Sequence, residues 1–145
     1  MTLRCLATSP EWDSPFFKIL ANNDTGAASG NQAGFLIPIE LRKFFPGLSG
    51  PTTKSSPTLD HPIETQLFIE EIYVGTVRAR YQFQTWGGTR KPESRITDNL
   101  KPMRDHASEK DVLIIQRSIS RLDYYRLTLI RKEHAEFKII LTLAA

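Results

Sequence analysis

The sequence predicts a mainly β, barrel-like domain, and three features carry that prediction. Short windows alternate apolar and polar residues or are apolar throughout; long loops rich in Gly, Pro, Ser and Thr separate them; helical spacing is confined to one or two brief pieces. The 145 residues suffice for a single domain, residues 1–145, with 40% hydrophobic and 24% charged residues in ordinary globular balance. No apolar run reaches the roughly 18 residues of a membrane-spanning helix. Glu11 and Asp13 arrive before any signal-peptide core develops. Cys5 is the sole cysteine, which excludes an internal disulfide and a Cys-rich zinc site and makes a reducing, intracellular setting the expectation.

Taken in order, residues 1–15 contain two prolines and little pattern, and read as a peripheral arm. Phe16-Phe17-Lys18-Ile19-Leu20 predicts a short strand. Residues 21–32 hold no periodic apolar positions and form a loop longer than most connectors. Gly34-Phe35-Leu36-Ile37 is extended; Pro38 suits a helix start and Glu40 its positive end. Leu41, Phe44 and Phe45 then share one face of a short helix stopped by Pro46. Residues 47–62 read as loop.

Period two takes over at residues 65–72, with Leu67 and Ile69 apolar. It continues where Val77, Ala79, Tyr81 and Phe83 alternate with Arg78, Arg80, Gln82 and Gln84, predicting one core face and one basic, wet face. Trp86-Gly87-Gly88 breaks the strand, and residues 89–95 read as a polar loop. A helical turn is expected within residues 99–104, and strands over 112–117, 124–131 and 137–143. A last strand ending near Ala145 fits either a complete small protein or a domain of a larger one.

Net charge is only +3, but its distribution is uneven: residues 75–104 carry +5, against −3 before and +1 after. A solvated basic face is the plain alternative to a binding surface. For catalysis the inventory is thin. His61, His106 and His134 have no partner at ligand or triad spacing, and no nucleophile elbow, zincin or phosphate-loop motif occurs. Gly26-Ala27-Ala28-Ser29-Gly30 lacks the Lys-Ser/Thr of a phosphate loop. Glu136-Phe137-Lys138 has the Glu-x-Lys spacing of some Mg-dependent nucleases, yet in a strand it reads more simply as a solvent-facing pair around a buried Phe.

Binding chemistry is better supplied. Thr89-Arg90-Lys91-Pro92-Glu93-Ser94-Arg95 offers arginine forks for guanine O6 and N7 and a carboxylate for the cytosine amino group. The loop at residues 22–32 supplies short amides and hydroxyls suited to base edges, phosphates or ordered water.

These two loops also carry a resemblance. Leu20-Ala21-Asn22-Asn23-Asp24-Thr25-Gly26-Ala27, then Gly30-Asn31-Gln32-Ala33-Gly34-Phe35-Leu36-Ile37-Pro38 and Phe44-Phe45-Pro46, resembles the N-terminal effector domain of EcoRII-type (type IIE) restriction endonucleases. Thr89 to Thr97, with Arg95-Ile96-Thr97, is similar to that domain's second DNA-contacting loop. The resemblance implies a B3-like DNA-binding pseudobarrel, an open barrel of about seven strands with two short helices. It implies an N-arm at residues 20–32 and a C-arm at 86–97 that enter the major groove of double-stranded DNA from opposite sides, reading a CCWGG-like site. It further implies no cleavage chemistry in this domain, with Mg needed only by a separate nuclease domain of the same bacterial, cytoplasmic polypeptide. The family domain has a histidine where Asn31 stands and a lysine where Ser94 stands, and Pro92 is an extra C-arm residue. Phosphate or guanine contacts are expected to weaken accordingly.

On this reading Arg90 and Arg95 contact guanine or phosphate, Glu93 accepts from cytosine or orients an arginine, and Lys91 meets phosphate. Asn22, Asn23, Asp24, Thr25, Asn31, Gln32 and Ser94 are the polar contacts, although Asp24 has the alternative of shaping its own loop. Trp86 and Phe35 are expected to anchor packing rather than stack on bases. A free-standing B3-like regulator would use the same arms, and a nuclease would use Glu136 and Lys138.

Overall fold

Seven strands form one mixed sheet that curls into a half-barrel. In chain order they are β1 (Phe16–Ile19), β2 (Phe35–Ile37), β3 (Thr58–Ile69), β4 (Ile72–Gln84), β5 (Glu93–Thr97), β6 (Val112–Arg117) and β7 (Tyr124–Ile130). The order across the sheet is β1-β6-β7-β3-β4-β5-β2, with β3–β7 parallel and every other pairing antiparallel. The structure is a computed structural model that describes residues 4–6, 11–25, 34–46, 48, 58–85, 88 and 91–144, without the side chain of Asn23.

The alternation predicted for β4 is observed. Ala79 and Tyr81 are buried, Val77 packs against the same core, and Arg78 and Arg80 are exposed. The inward residues of β3, β5, β6 and β7 meet them in one apolar cluster that includes Ile63, Leu67, Ile96, Leu113, Ile115, Tyr125 and Leu127. Residues Ile39–Phe44 form a 3-10 helix between Pro38 and Pro46, a tight turn suited to so short a segment. Its Leu41 and Phe44, with the following Phe45, enter the barrel as the spacing predicts. Phe45 lies stacked between Tyr81 (4.7 Å) and Tyr125 (4.9 Å), and Tyr125 Oη donates to the Phe44 carbonyl at 2.8 Å. Helix α1 (Lys101–Arg104) is the single turn expected there.

Four local expectations are corrected. Residues 137–143 are not a strand: α2 (Phe137–Ala144) is helical, and Phe137, Ile140, Leu141 and Ala144 repeat at i, i+3, i+4 and i+7. That stripe covers the outer side of the sheet at Val112, Ile114 and Ile130, so β6 is buried on both faces. The opening segment is not a peripheral arm where it is described. Cys5 is fully buried in this second cluster, and Trp12 bridges to Ser118. Residues 58–62 belong to β3 rather than to a loop. Pro62 is tolerated because pairing with β7 begins only at Glu64, leaving one side of the strand open. Residues 93–95 are strand rather than loop, since β5 pairs with both β4 and β2. Its buried Ser94 and Arg95 hide the apolar signal that would have marked it.

Candidate nucleic-acid interface

The two edges of the sheet are β1 and β2, and the loop at residues 21–33 runs from one to the other. Curling brings these edges together without a backbone ladder between them. A side-chain clasp takes its place. Lys18 of β1 sits 3.0 Å from both carboxylate oxygens of Asp24 and also donates to the Leu36 carbonyl of β2. Asp24 in turn accepts from the Leu36 amide and the Ala21 amide, each at 2.9 Å. One carboxylate thus ties together β1, the start of the loop and β2. Both side chains are nearly out of solvent, 11% and 1% exposed, where an ion pair is weakly screened and costly to break. Burial lowers the Lys18 pKa; Asp24 opposes that shift, and the charge of Arg95 adds to it.

A third element completes this root. Arg104 of α1 donates to the carbonyls of Asp24 (3.1 Å) and Thr25 (3.0 Å). Residues Asn22–Asp24 form a 3-10 turn whose first carbonyl accepts from the Thr25 hydroxyl at 2.9 Å. At the return, Gly34 has φ +95°, and an added Cβ would lie 1.9 Å from the Ile96 carbonyl oxygen. A side chain there collides with backbone and is conformationally disfavoured as well.

The second loop joins β4 to β5, between the paired residues Gln84 and Glu93. Its root is built locally. Arg95 and Glu93, two residues apart on one strand, form an ion pair at 2.9 Å. Arg42 of the 3-10 helix donates to the Pro92 carbonyl at 3.3 Å, with its guanidinium 5.1 Å from the Phe83 ring centre. Lys91 and Pro92 are exposed.

The structure separates the expected contact residues into groups. Asn22 and Lys91 are exposed, and Glu93 is half-buried. Asp24, Thr25, Ser94 and Arg95 are buried, with Asp24 in the loop-shaping role that the sequence left open. Asn23 lies in the 3-10 turn, while Asn31, Gln32, Arg90 and Trp86 lie outside the described residues. Arg78 and Arg80 face outward on β4, and Arg80 is paired with Asp60 (3.2 Å) and Asp98 (3.1 Å). Lys18, Arg42 and Arg104 are the functional candidates that sequence reading missed. No motif marks them, because their partners lie 6 to 80 positions away.

The spacing of the two roots is set by the β2–β5 ribbon. Phe35 pairs with Ile96 and Ile37 with Ser94, so Gly34 stands at the Thr97 end and Pro92 beyond the Glu93 end. Five residue steps separate them, about 17 Å at the usual rise. That span exceeds the width of the major groove of B-DNA, about 12 Å, so loops rooted at its two ends can straddle a groove.

No protein-family model and no curated protein matches this chain.

Other chemistry is less well assembled among the described residues. The carboxylate of Glu136 accepts from the amides of Arg4 (2.9 Å) and Cys5 (3.1 Å), while Lys138 lies exposed on α2. This pair therefore does not flank Phe137 on a strand as expected. His61 contacts Asp123 at 2.6 Å, and His106 is exposed. No described helix is long and apolar enough to cross a membrane.

Proposed function

We propose that this domain binds double-stranded DNA sequence-specifically through two arms in the major groove. In that reading it is the effector, or target-recognition, domain of a type IIE restriction endonuclease, recognising a CCWGG-like, G·C-rich site. The observation that carries it is the pair of polar loops rooted at opposite ends of one two-stranded ribbon, far enough apart to straddle a groove. The half-barrel agrees with the pseudobarrel that the loop motifs imply. The basic excess of residues 75–104 falls on the stretch that contains the second arm and the exposed face of β4.

In this mechanism the clasp at Lys18 and Asp24 holds the first arm at a set angle. On this reading the side-chain amides of Asn31 and Gln32 contact base edges or phosphates. On the second arm Arg90 meets guanine or phosphate and the exposed Lys91 meets phosphate. Arg95, whose side chain is only 7% exposed, pairs with Glu93 and stiffens the base of the arm, and Arg90 is the fork for bidentate guanine contact. Cleavage belongs to a separate Mg-dependent domain of the same polypeptide, in the bacterial cytoplasm. Selection from a random pool of duplex DNA tests the reading. A G·C-rich CCWGG-like sequence is expected to be enriched; a pool that stays unselected after repeated rounds would refute it.

A further inference from the structure

Three side chains far apart in sequence meet on the outer side of the sheet, away from both arm roots. Cys5 comes from the opening segment, Glu71 from the turn between β3 and β4, and His134 from the turn before α2. Their donor atoms all lie within 4.8 Å of one another. Cys5 Sγ is 3.7 Å from His134 Nε2, and the Glu71 carboxylate oxygens are 3.1 and 3.2 Å from that same nitrogen. A tetrahedral zinc ion with ordinary bond lengths holds sulfur about 3.6 Å from nitrogen, and oxygen about 3.3 Å from it. The distances at Nε2 already match this spacing, so little movement is needed for one ion to replace the hydrogen bonds.

We propose that Cys5, Glu71 and His134 form a binding site for a thiophilic divalent cation of the zinc class, with water completing the coordination. The donor set suits such an ion: one sulfur, one imidazole and one carboxylate are the three ligand types zinc accepts. The surroundings favour positive charge. Burial and the carboxylates of Glu136, Glu71 and Glu70 push the Cys5 thiol pKa up from its ordinary value, and the same carboxylates attract a cation. Arg4 is the competing cation, with Nε 3.5 Å from Glu71 and 3.6 Å from Glu136; its side chain is 67% exposed and free to swing out.

Proton balance follows from the hydrogen bonds. His134 Nδ1 accepts the Glu136 amide at 3.0 Å, so the ring proton is on Nε2 and points to Glu71. Metal binding at Nε2 moves that proton to Nδ1 and ends the Glu136 amide bond, a loss confined to the turn before α2. Cys5 gives up its thiol proton to solvent, one proton per ion bound. The bound ion would fasten the opening segment to the β3–β4 turn and to the turn before α2, adding to the Glu70–Arg131 and Arg4–Glu71 pairs and to the amide bonds of Glu136.

The test is titration of the full metal-free chain with Co²⁺, read by absorption. The site predicts one equivalent bound with a thiolate-to-cobalt charge-transfer band, abolished by added Zn²⁺ and absent in Cys5→Ser. His134→Gln and Glu71→Gln, checked for folding by circular dichroism, should each weaken binding at least tenfold. Zn²⁺ should raise the Tm of the parent but not of Cys5→Ser. No band at millimolar Co²⁺ would overturn the proposal, as would cobalt or zinc binding that survives Cys5→Ser and His134→Gln unchanged.

Discussion

The two arm roots are anchored in different ways. The first is tied to the whole barrel: one buried carboxylate, Asp24, bonds to β1, β2 and its own loop, and Arg104 reaches it from α1. The second shows a pair within β5 and a carbonyl bond from Arg42 among the described contacts, and its Arg95 lies near enough to Lys18 and Arg104 for its charge to be felt there. The edges of an open barrel have unpaired backbone groups facing each other, so a loop crossing that gap must also close it. A hairpin loop carries no such duty. Changes at the first root are therefore expected to cost fold stability and DNA binding together, and changes at exposed residues of the second arm, such as Lys91, to cost binding with the fold intact.

The largest expected effect is at the clasp. Asp24→Ala leaves the Lys18 ammonium buried without its carboxylate and two amides without an acceptor. Lys18→Met is the milder break, because Asp24 keeps both amides. Removing one partner of a buried pair costs about 3–5 kcal/mol, so Asp24→Ala should approach that range by urea denaturation and Lys18→Met should fall below it. Equal and small losses for both would mean that the clasp does not close the barrel.

Gly34→Ala comes next. The new methyl meets the Ile96 carbonyl oxygen in a backbone conformation that disfavours side chains, and β2 must shift away from β5. A loss of about 1–3 kcal/mol is expected from the strain, with faster amide exchange at Phe35 and Ile37. Unchanged exchange there would show that the ribbon does not depend on this turn.

In the second arm, Arg90→Ala or Arg95→Ala should lower specific DNA binding by about 1–3 kcal/mol and relax discrimination at one base pair. The denaturation midpoint should move less than it does for Asp24→Ala. If both variants bind the selected sequence as tightly as the parent, the second arm does not read bases. Lys91→Ala is the smallest change: weaker binding to every duplex alike, and a salt-dependence slope reduced by about one. A base-selective loss would instead make Lys91 a reader.

Where periodicity and burial agree, the sequence is easily read. β1, β6, β7 and the alternation of β4 follow from it, as do the short helix with Leu41, Phe44 and Phe45 and the turn at α1. Ambiguity arises where a segment serves two patterns. The run Ile139-Ile140-Leu141 is β-rich in composition, yet its neighbours Phe137 and Ala144 complete a helical stripe. β5 is hidden by polar residues that become buried in tertiary context, namely Ser94 and Arg95. Asp24 is readable as a loop former, but its partners are not, since Lys18 and Arg104 reach it only after the sheet curls. The Cys5, Glu71 and His134 group is invisible for the same reason, its members being 63 and 129 positions from one another along the chain.

The central claim is that the two loops together embrace a duplex. Backbone amide shifts recorded as the selected oligonucleotide is added test it most directly. The account predicts large changes confined to residues 21–34 and 85–97, with α2 and the β6–β7 turn unmoved. Changes centred on α2 or on that turn, with both loops silent, would contradict it.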